Sequence, residues 1–564
     1  MLRKKRIPIG IEFYKQFIEK DYYYVDKTLI IKELLDKGGQ VNLFTRPRRF
    51  GKTLLQTTLR TFFEAEMDQN GRLKDNSRYF DGMKIMDAGE EYTRHLGRYP
   101  VIFLSLKSAK QPTFEMAYRM LKGQIKEEFD RHDYMLKTDA LDETAKERYR
   151  KICNLTAEVE EYAAALAFLS KCLERYHGRK TIILLDEYDV PLENSYFEGF
   201  YEQMITFIRS LFESALKTNE SLEFAVITGC LRISKESIFT GLNNLKVISI
   251  LNDNYAEYFG FVQGEVDAML DYYGISEKKE EVRRWYDGYL FGDREVYNPW
   301  SVINYVDDAT SQHIYFPKPY WSNTSSNSII KEMVENADRG VKDEIESLIA
   351  GGTIEKQIHE DITYGDIHKS QDNLWNFLFF TGYLKAVSQR FEVNKVYLTM
   401  EIPNEEIRYI YQDTIQEWFE HGIKQHDFTE MYRSIFEGDT EVFEETICNQ
   451  LAGSISYFDS EEDFYHGFLL GLLRPLQDYK ILSNRESGNG RPDIVLKPYN
   501  PRKPAVILEL KHVKRFPQME AGCEEALRQI EERGYEEGIL EEGYKDVISY
   551  GICFCKKSCL VKKS

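Results

Sequence analysis

Residues 41–55 read VNLFTRPRRFGKTLL. Gly51, Lys52 and Thr53 close a phosphate-binding loop of the form G-x-x-x-x-G-K-[ST], whose first glycine would stand at position 46. Arg46 stands there instead, followed by Pro47, Arg48, Arg49 and Phe50. The flanks support the match. Val41–Phe44 is a short apolar run that reads as a buried strand, and Leu54 onward reads as a helix. At such a turn backbone N–H groups and a helix N-terminus face an anion. The lysine reaches the outer phosphates, and the threonine hydroxyl holds Mg²⁺. Gly51 lets the backbone come close. Pro47 is expected to stiffen the bend that glycines usually make. At least one of the arginines is expected to offset phosphate charge or pair with an acid.

A partner element lies far along the chain. TIILLDEYD, residues 181–189, is an apolar run ending in Asp186 and Glu187. Asp186 is placed to hold Mg²⁺, directly with Thr53 or through water, and Glu187 to polarise an attacking water. Alone, either motif also fits a strand running into a surface turn. Together they sit where open α/β sheets bind ligands, at the C-terminal ends of strands. A third run, AVITGCLRIS from residue 225, ends its strand at Thr228, whose hydroxyl would lie near a γ-phosphate. Arg232 reads two ways: a charge sensor for that phosphate, or a loop arginine paired with an acid.

The chain is long enough for two to four domains. It has 564 residues, 42% of them hydrophobic, and a formal net charge of -19. That acidity argues against nucleic-acid coating over the whole surface and requires a local basic groove for any such binding. The N-terminal MLRKKRIPIG lacks the apolar core of a secretory signal. FLFFTGYL and GFLLGLL fall far short of the ~20 residues that span a bilayer. A soluble cytoplasmic protein without membrane partners is expected. Eight scattered cysteines suit a reducing compartment. Cys553, Cys555 and Cys559 offer a C-x-C-x-x-x-C spacing. No second cluster completes a four-ligand zinc pattern, however, and YGICFC reads as a buried terminal strand.

Three textures divide the chain. Residues 1–255 alternate buried strand-like runs with helices, which predicts an α/β domain with a mainly parallel sheet and a helical insert over about 113–176. Residues 256–450 are chiefly helical with aromatic punctuation, such as VYNPWSVINYV. NLWNFLFFTGYLKAV followed by NKVYLTMEIP suggests a helix leading into a strand pair, compatible with a winged-helix-like unit. Residues 451–564 predict a compact α/β domain: a helix, a hairpin of RPDIVLKP and KPAVILELKHV, a second helix and the strand VISYGICFC.

The hairpin carries the second chemical pattern. Side chains alternate faces along a strand, so Glu509 and Lys511 share one face and Leu510 takes the other. Asp493 opens the preceding strand. Two carboxylates and a lysine on one face suit a divalent metal, Mg²⁺ or Mn²⁺, and a phosphodiester. The ordinary reading of ELK is an exposed strand edge, yet AVIL before it predicts a buried central strand.

The N-terminal part resembles the AAA-ATPase-like family of bacteria and archaea. IPIGIEFYKQF, DYYYVDKTLII, FTRPRRFGKTLL, ILLDEYDVPL and TGCLRISKESIFTGLNNL carry the resemblance. It implies a P-loop ATPase with an extra strand between the Lys52-bearing and Asp186-bearing strands, and ATP with Mg²⁺ as ligands. TRPRRFGK is itself the usual form of the loop in that family. Residues 451–564 resemble the PD-(D/E)XK nuclease superfamily through Pro492-Asp493 and Glu509-x-Lys511. The resemblance implies a further metal-side acid at Glu462, with Glu461 as the alternative register. It also matches Gln529 and Tyr535 to a Gln/Tyr helix motif, while Glu486 reads equally as acid or loop residue. The expected function is ATP hydrolysis coupled to cleavage of DNA or RNA, in a chain that also suits homo-oligomer formation. The alternative is a nucleotide-switched signalling or scaffold protein whose nuclease-like domain only binds.

Overall fold

The computed structural model describes residues 4–68, 71–232, 238–239, 242–312, 315–322, 339–360, 371–413, 428–453, 462–474, 476, 478–483, 492–500 and 502–564. Glu461, Glu486, most of SNTSSNSII and the SKES segment after Arg232 fall outside them. The chain divides into two compact units. One comprises 1–325 with 353–409, the other 326–352 with 410–564.

Five parallel strands form the centre of the first unit: β1 (Val41–Thr45), β2 (Val101–Ser105), β3 (Thr181–Asp186), β4 (Leu222–Gly229) and β5 (Leu245–Ile248). Their order is β2-β3-β4-β1-β5. The expected extra strand is therefore β4, between β1 and β3, with Leu43 opposite Ile227 and Leu185 opposite the same residue. Every residue of β1 and β3 is buried. Strands covered on both faces need apolar side chains throughout, which is why these runs do not alternate. Helix α1 (Lys52–Phe63) follows β1 directly and is buried along most of its length. Its one glutamine in the interior, Gln56, donates to the carbonyls of Leu185 and Val226, each at 3.1 Å. One side chain thus fastens the helix to β3 and β4 near their C-terminal ends. The predicted helical insert is present as Phe114–Arg131, Glu143–Cys153 and Ala165–His177, with a short helix between the last two.

After the parallel sheet come helices, the hairpin β6 (Tyr289–Phe291) and β7 (Arg294–Val296), and the helix Pro299–Ser311. The predicted strand pair is β9 (Lys385–Glu392) with β10 (Lys395–Glu401), and β8 (Ile354–Ile358) joins it in the order β8-β10-β9. IEKQI, the sequence of β8, is apolar only at its ends, so periodicity gave no strand signal there. A carboxylate holds this region together. Glu406 is fully buried and accepts from the Ser301 hydroxyl at 2.8 Å and the Trp321 N–H at 2.9 Å.

The second unit contains a five-stranded mixed sheet, ordered β11-β12-β13-β14-β15. Its strands are β11 (Tyr479–Ser483), β12 (Ile494–Pro498), β13 (Ala505–His512), β14 (Val547–Cys555) and β15 (Ser558–Lys563). Only β13 and β14 pair in parallel. Helix α2 (Glu462–Leu473) covers one face, packing Tyr465, Phe468 and Leu472 on Leu496, Val506 and Leu508. On the other face, α3 (Met519–Glu532) supplies Ile530, which packs with Val495, Ala505 and Ile507. The edge strands β11 and β15 were not anticipated. Their residues are mixed in polarity, as suits strands with one open side. Among the described residues no helix is long and apolar enough to cross a membrane.

Burial raises the Glu406 carboxyl to about 8. A carboxyl whose folded value exceeds its unfolded one stabilises the fold fully below about pH 4.5. That contribution fades as the pH rises toward 8 and is on the order of 5 kcal/mol. Wild type is expected to lose stability between pH 5 and 8 in denaturant titrations. Glu406→Gln keeps the shape without the charge and should flatten that slope; an unchanged slope would count against this assignment.

Candidate functional site

The phosphate loop connects β1 to α1 with two left-handed residues, Arg49 at φ 70° and Gly51 at φ 85°. Glycine adopts such a conformation freely. Arg49 is held in it by contacts on both sides: its guanidinium lies 4.4 Å over the Trp300 ring and 4.0 Å from Glu12. Thr53 and Thr228 both reach Asp186. Thr53 Oγ1 donates to Oδ2 at 2.8 Å and Thr228 Oγ1 donates to Oδ1 at 2.6 Å. The ends of three adjacent strands therefore meet at one buried carboxylate. Burial, with the Glu187 charge beside it, raises Asp186 to about 6. A divalent ion beside such a group would favour its charged form.

Lys52 is buried and donates to the carbonyls of Arg46 and Pro47, both at 2.9 Å. The loop thus curls around its own ammonium. Glu187 follows Asp186 in a left-handed conformation, φ 52°, and lines the cavity over the loop. Asp189 is buried behind it and accepts from the N–H groups of Cys230 at 2.7 Å and Leu231 at 3.1 Å. It pins the turn after β4 to the end of β3.

The cavity measures about 350 Å³. Arg48, Arg49, Phe50, Gly51, Lys52, Thr53 and Leu54 form its loop side. Six cations line it, Lys27, Arg48, Arg49, Lys52, Lys107 and Lys110, against the three carboxylates Glu12, Glu187 and Asp189. A chain of net charge -19 thus keeps a locally positive concavity, the setting for an anionic ligand. Lys27, Lys107, Lys110, Glu12 and Trp300 escaped sequence reasoning. Glu12 and Lys27 lie in IPIGIEFYKQF and DYYYVDKTLII, segments visible only as family resemblance.

Two expected loop residues do something other than line the cavity. Arg46 is fully buried and donates from Nη1 to the carbonyls of Thr45 at 2.9 Å and Ile248 at 3.0 Å. Its guanidinium lies between the rings of Phe259 and Phe291, 5.0 Å from each centroid. Burial lowers its pKa to about 9. Pro47 packs on Gly382, where an added Cβ would come within 3.0 Å of the proline. Arg48 pairs with Glu193. Arg232 forms an ion pair with Glu360 at 3.5 Å and is not part of the cavity wall.

The second candidate site lies on the α3 face of the second sheet. Asp493 immediately precedes β12. Its Oδ2 accepts from Leu510 N at 2.9 Å, and its own N–H donates to Glu509 Oε2 at 3.3 Å. Glu509 is buried, and Lys511 Nζ lies 3.9 Å from its Oε1. Gln529 on α3 bridges the two. Its amide nitrogen donates to Glu509 Oε1, and its oxygen accepts from Lys511 Nζ at 2.8 Å. Tyr535 is buried beside Ile507 and Ile530. Position 462 opens α2, one turn before His466 on the same helix face. His466 was not singled out from sequence; its Nε2 lies 3.0 Å from the Asp493 carbonyl and 3.2 Å from Ser483 Oγ.

The cysteines take other places. Cys553 and Cys555 are buried in β14, and Cys559 in β15 lies 3.6 Å, sulfur to sulfur, from Cys448. No cysteine is in a disulfide. Among the described residues, no group of three or more His, Cys, Asp or Glu side chains is arranged to hold a metal.

Arg46→Gly would restore the ordinary loop pattern. It should nevertheless destabilise the fold by about 3 kcal/mol, since two carbonyls lose their donor and two rings lose the group between them. Chemical denaturation measures this directly, and a variant as stable as wild type would show the contacts to be idle.

Residues 8–239 match the model of the AAA-ATPase-like family, described as predicted AAA-ATPase. Residues 460–564 match that of the PD-(D/E)XK nuclease superfamily. Over 335 residues the chain is 27% identical to a protein of Azotobacter chroococcum mcd 1 described as "Uncharacterized protein in vnfD 5'region". That match covers 59% of this chain and 57% of the relative.

Proposed function

We propose that this chain, in which an AAA-ATPase-like domain precedes a PD-(D/E)XK superfamily domain, hydrolyses ATP and cleaves phosphodiester bonds of DNA or RNA, with the first reaction gating the second. Residues 1–255 carry the ATP chemistry, 451–564 the nuclease chemistry, and 256–450 act as a lid. The observation that carries the reading is the meeting of Lys52, Thr53, Asp186 and Thr228 at the ends of β1, β3 and β4. Mg²⁺ fits beside Thr53 and Asp186, because a buried carboxylate and the hydroxyl bonded to it make a hard oxygen donor set. Bound there, the ion would neutralise charge on the phosphates.

The protein's own groups do the rest. Phosphate oxygens replace the Arg46 and Pro47 carbonyls as acceptors for Lys52. Gly51 opens the backbone to the same oxygens. Glu187 accepts a hydrogen bond from the attacking water and fixes its direction. Asp189 keeps the turn after β4, and with it Thr228, in register with that water.

At the second site Asp493 and Glu509 supply carboxylate oxygens for Mg²⁺ or Mn²⁺, with Glu462 as a third ligand. The ion would lower the pKa of a bound water. Lys511 orients the water or offsets charge on the scissile phosphate. Gln529 holds Lys511 and Glu509 apart at a set spacing.

Wild type should show Mg²⁺-dependent ATPase activity. Lys52→Ala should abolish nucleotide binding. Glu187→Gln should retain binding and lose about 100-fold or more in turnover. Undiminished turnover in both variants would refute the assignment.

With Mn²⁺ and plasmid or single-stranded substrates, Asp493→Ala and Lys511→Ala should each remove cleavage. Cleavage that survives both changes would belong to a contaminant. Tight ATP binding without any cleavage by wild type would favour the switch-like scaffold instead.

A further inference from the structure

We infer that the cavity over the phosphate loop includes a stacking subsite for a nucleobase, with Trp300 as its platform. This rests on the nucleotide reading of the loop and assigns where the rest of the nucleotide goes.

The cavity has a chemically mixed lining. The polar loop from Gly51 to Thr53 belongs to it, and so do the aromatic and apolar side chains of Tyr24, Tyr258, Ile303 and Trp300. An aromatic wall contributes little to a bare phosphate chain, which needs N–H donors and cations. It suits a flat base, since every base offers a π-face.

Trp300 is built as a platform. It lies in the first turn of the helix Pro299–Ser311, and its backbone N–H donates to the capping Asn298 side chain at 2.9 Å. The indole Nε1 donates to the Tyr320 carbonyl at 3.2 Å. Backbone and ring nitrogen are therefore both anchored, and the ring is only half-buried. The Arg49 guanidinium covers part of the aromatic surface, and a base would stack on the rest.

The spacing from the phosphates is set by the loop itself. Arg49 stands two residues before Gly51, and its guanidinium stacks on Trp300 at 4.4 Å. The platform therefore lies one arginine side chain from the loop. Glu12 faces the same stretch, 4.0 Å from Arg49 and 3.0 Å from Lys107. Its carboxylate lines the same cavity beside Arg49, as an acceptor that ribose hydroxyls could use.

The test compares two probes, Mg-ATP and Mg-tripolyphosphate, by calorimetry on the full chain. Wild type should bind ATP more tightly than tripolyphosphate. Trp300→Ala should weaken ATP by about 5- to 150-fold, the loss that base stacking supplies, and tripolyphosphate far less, since only the Arg49 contact with the loop is lost. Trp300→Phe should recover most of the ATP affinity. Lys52→Ala should weaken both probes. Unaltered ATP affinity in Trp300→Ala, or equal loss for both probes, would overturn the subsite while leaving the phosphate loop standing. If wild type binds neither probe, the nucleotide reading falls and the subsite with it. Retained tripolyphosphate binding by Trp300→Ala also shows that the variant is folded.

Discussion

One buried carboxylate organises the first unit. Asp186 has both oxygens engaged by hydroxyls, Thr53 from the start of α1 and Thr228 from the end of β4. It therefore joins the three central strands at the edge where the loop opens. The two hydroxyls donate to the carboxyl, while burial and the Glu187 charge keep its pKa raised. Binding and architecture meet in the same two hydrogen bonds. The contact that ties α1 to β3 thus runs through the hydroxyl at the start of the loop's helix.

The second unit solves a related problem with a different side chain. Glu509 and Lys511 stand two apart on β13, a central strand whose preceding residues are all buried. Leaving both charges against α3 without partners would cost several kcal/mol. Gln529 removes that difficulty by donating to one and accepting from the other. An amide carries a donor nitrogen and an acceptor oxygen on one uncharged group, so it can serve a carboxylate and an ammonium together. The amide thus backs the long 3.9 Å Lys511–Glu509 ion pair with a hydrogen bond to each partner.

Much of this was legible in the sequence, for a physical reason. The groups at strand ends follow long apolar runs, and a polar residue closing such a run is conspicuous. Asp186, Thr228 and Glu509 are found in this way, Lys52 by its loop motif, and Asp493 at the opening of its strand. Parallel strand order followed from the strand–helix alternation together with the resemblance. What could not be read were residues whose role is purely spatial. Trp300, Glu12, Lys107 and Lys110 come from segments with unremarkable periodicity and meet only through the fold. The fate of Arg46 was hidden likewise. A cation in a phosphate loop invites an electrostatic role, and only the positions of Phe259 and Phe291 reveal that its surroundings are apolar. Edge strands β8, β11 and β15 lack a clean pattern because one side of each is unpaired.

The burial of Arg46 has a further consequence, for how such a loop can evolve. A glycine at that position asks nothing of distant residues, so glycine-rich loops transfer readily between proteins. An arginine there is tolerable only while two aromatic rings, from Phe259 and from Phe291 in β6, enclose it. Neither the arginine nor the rings can be exchanged singly without leaving a buried charge or a void. The three positions therefore form a ratchet: once assembled, the path back to the glycine form passes through less stable intermediates, and the loop becomes inherited together with the region that follows the sheet.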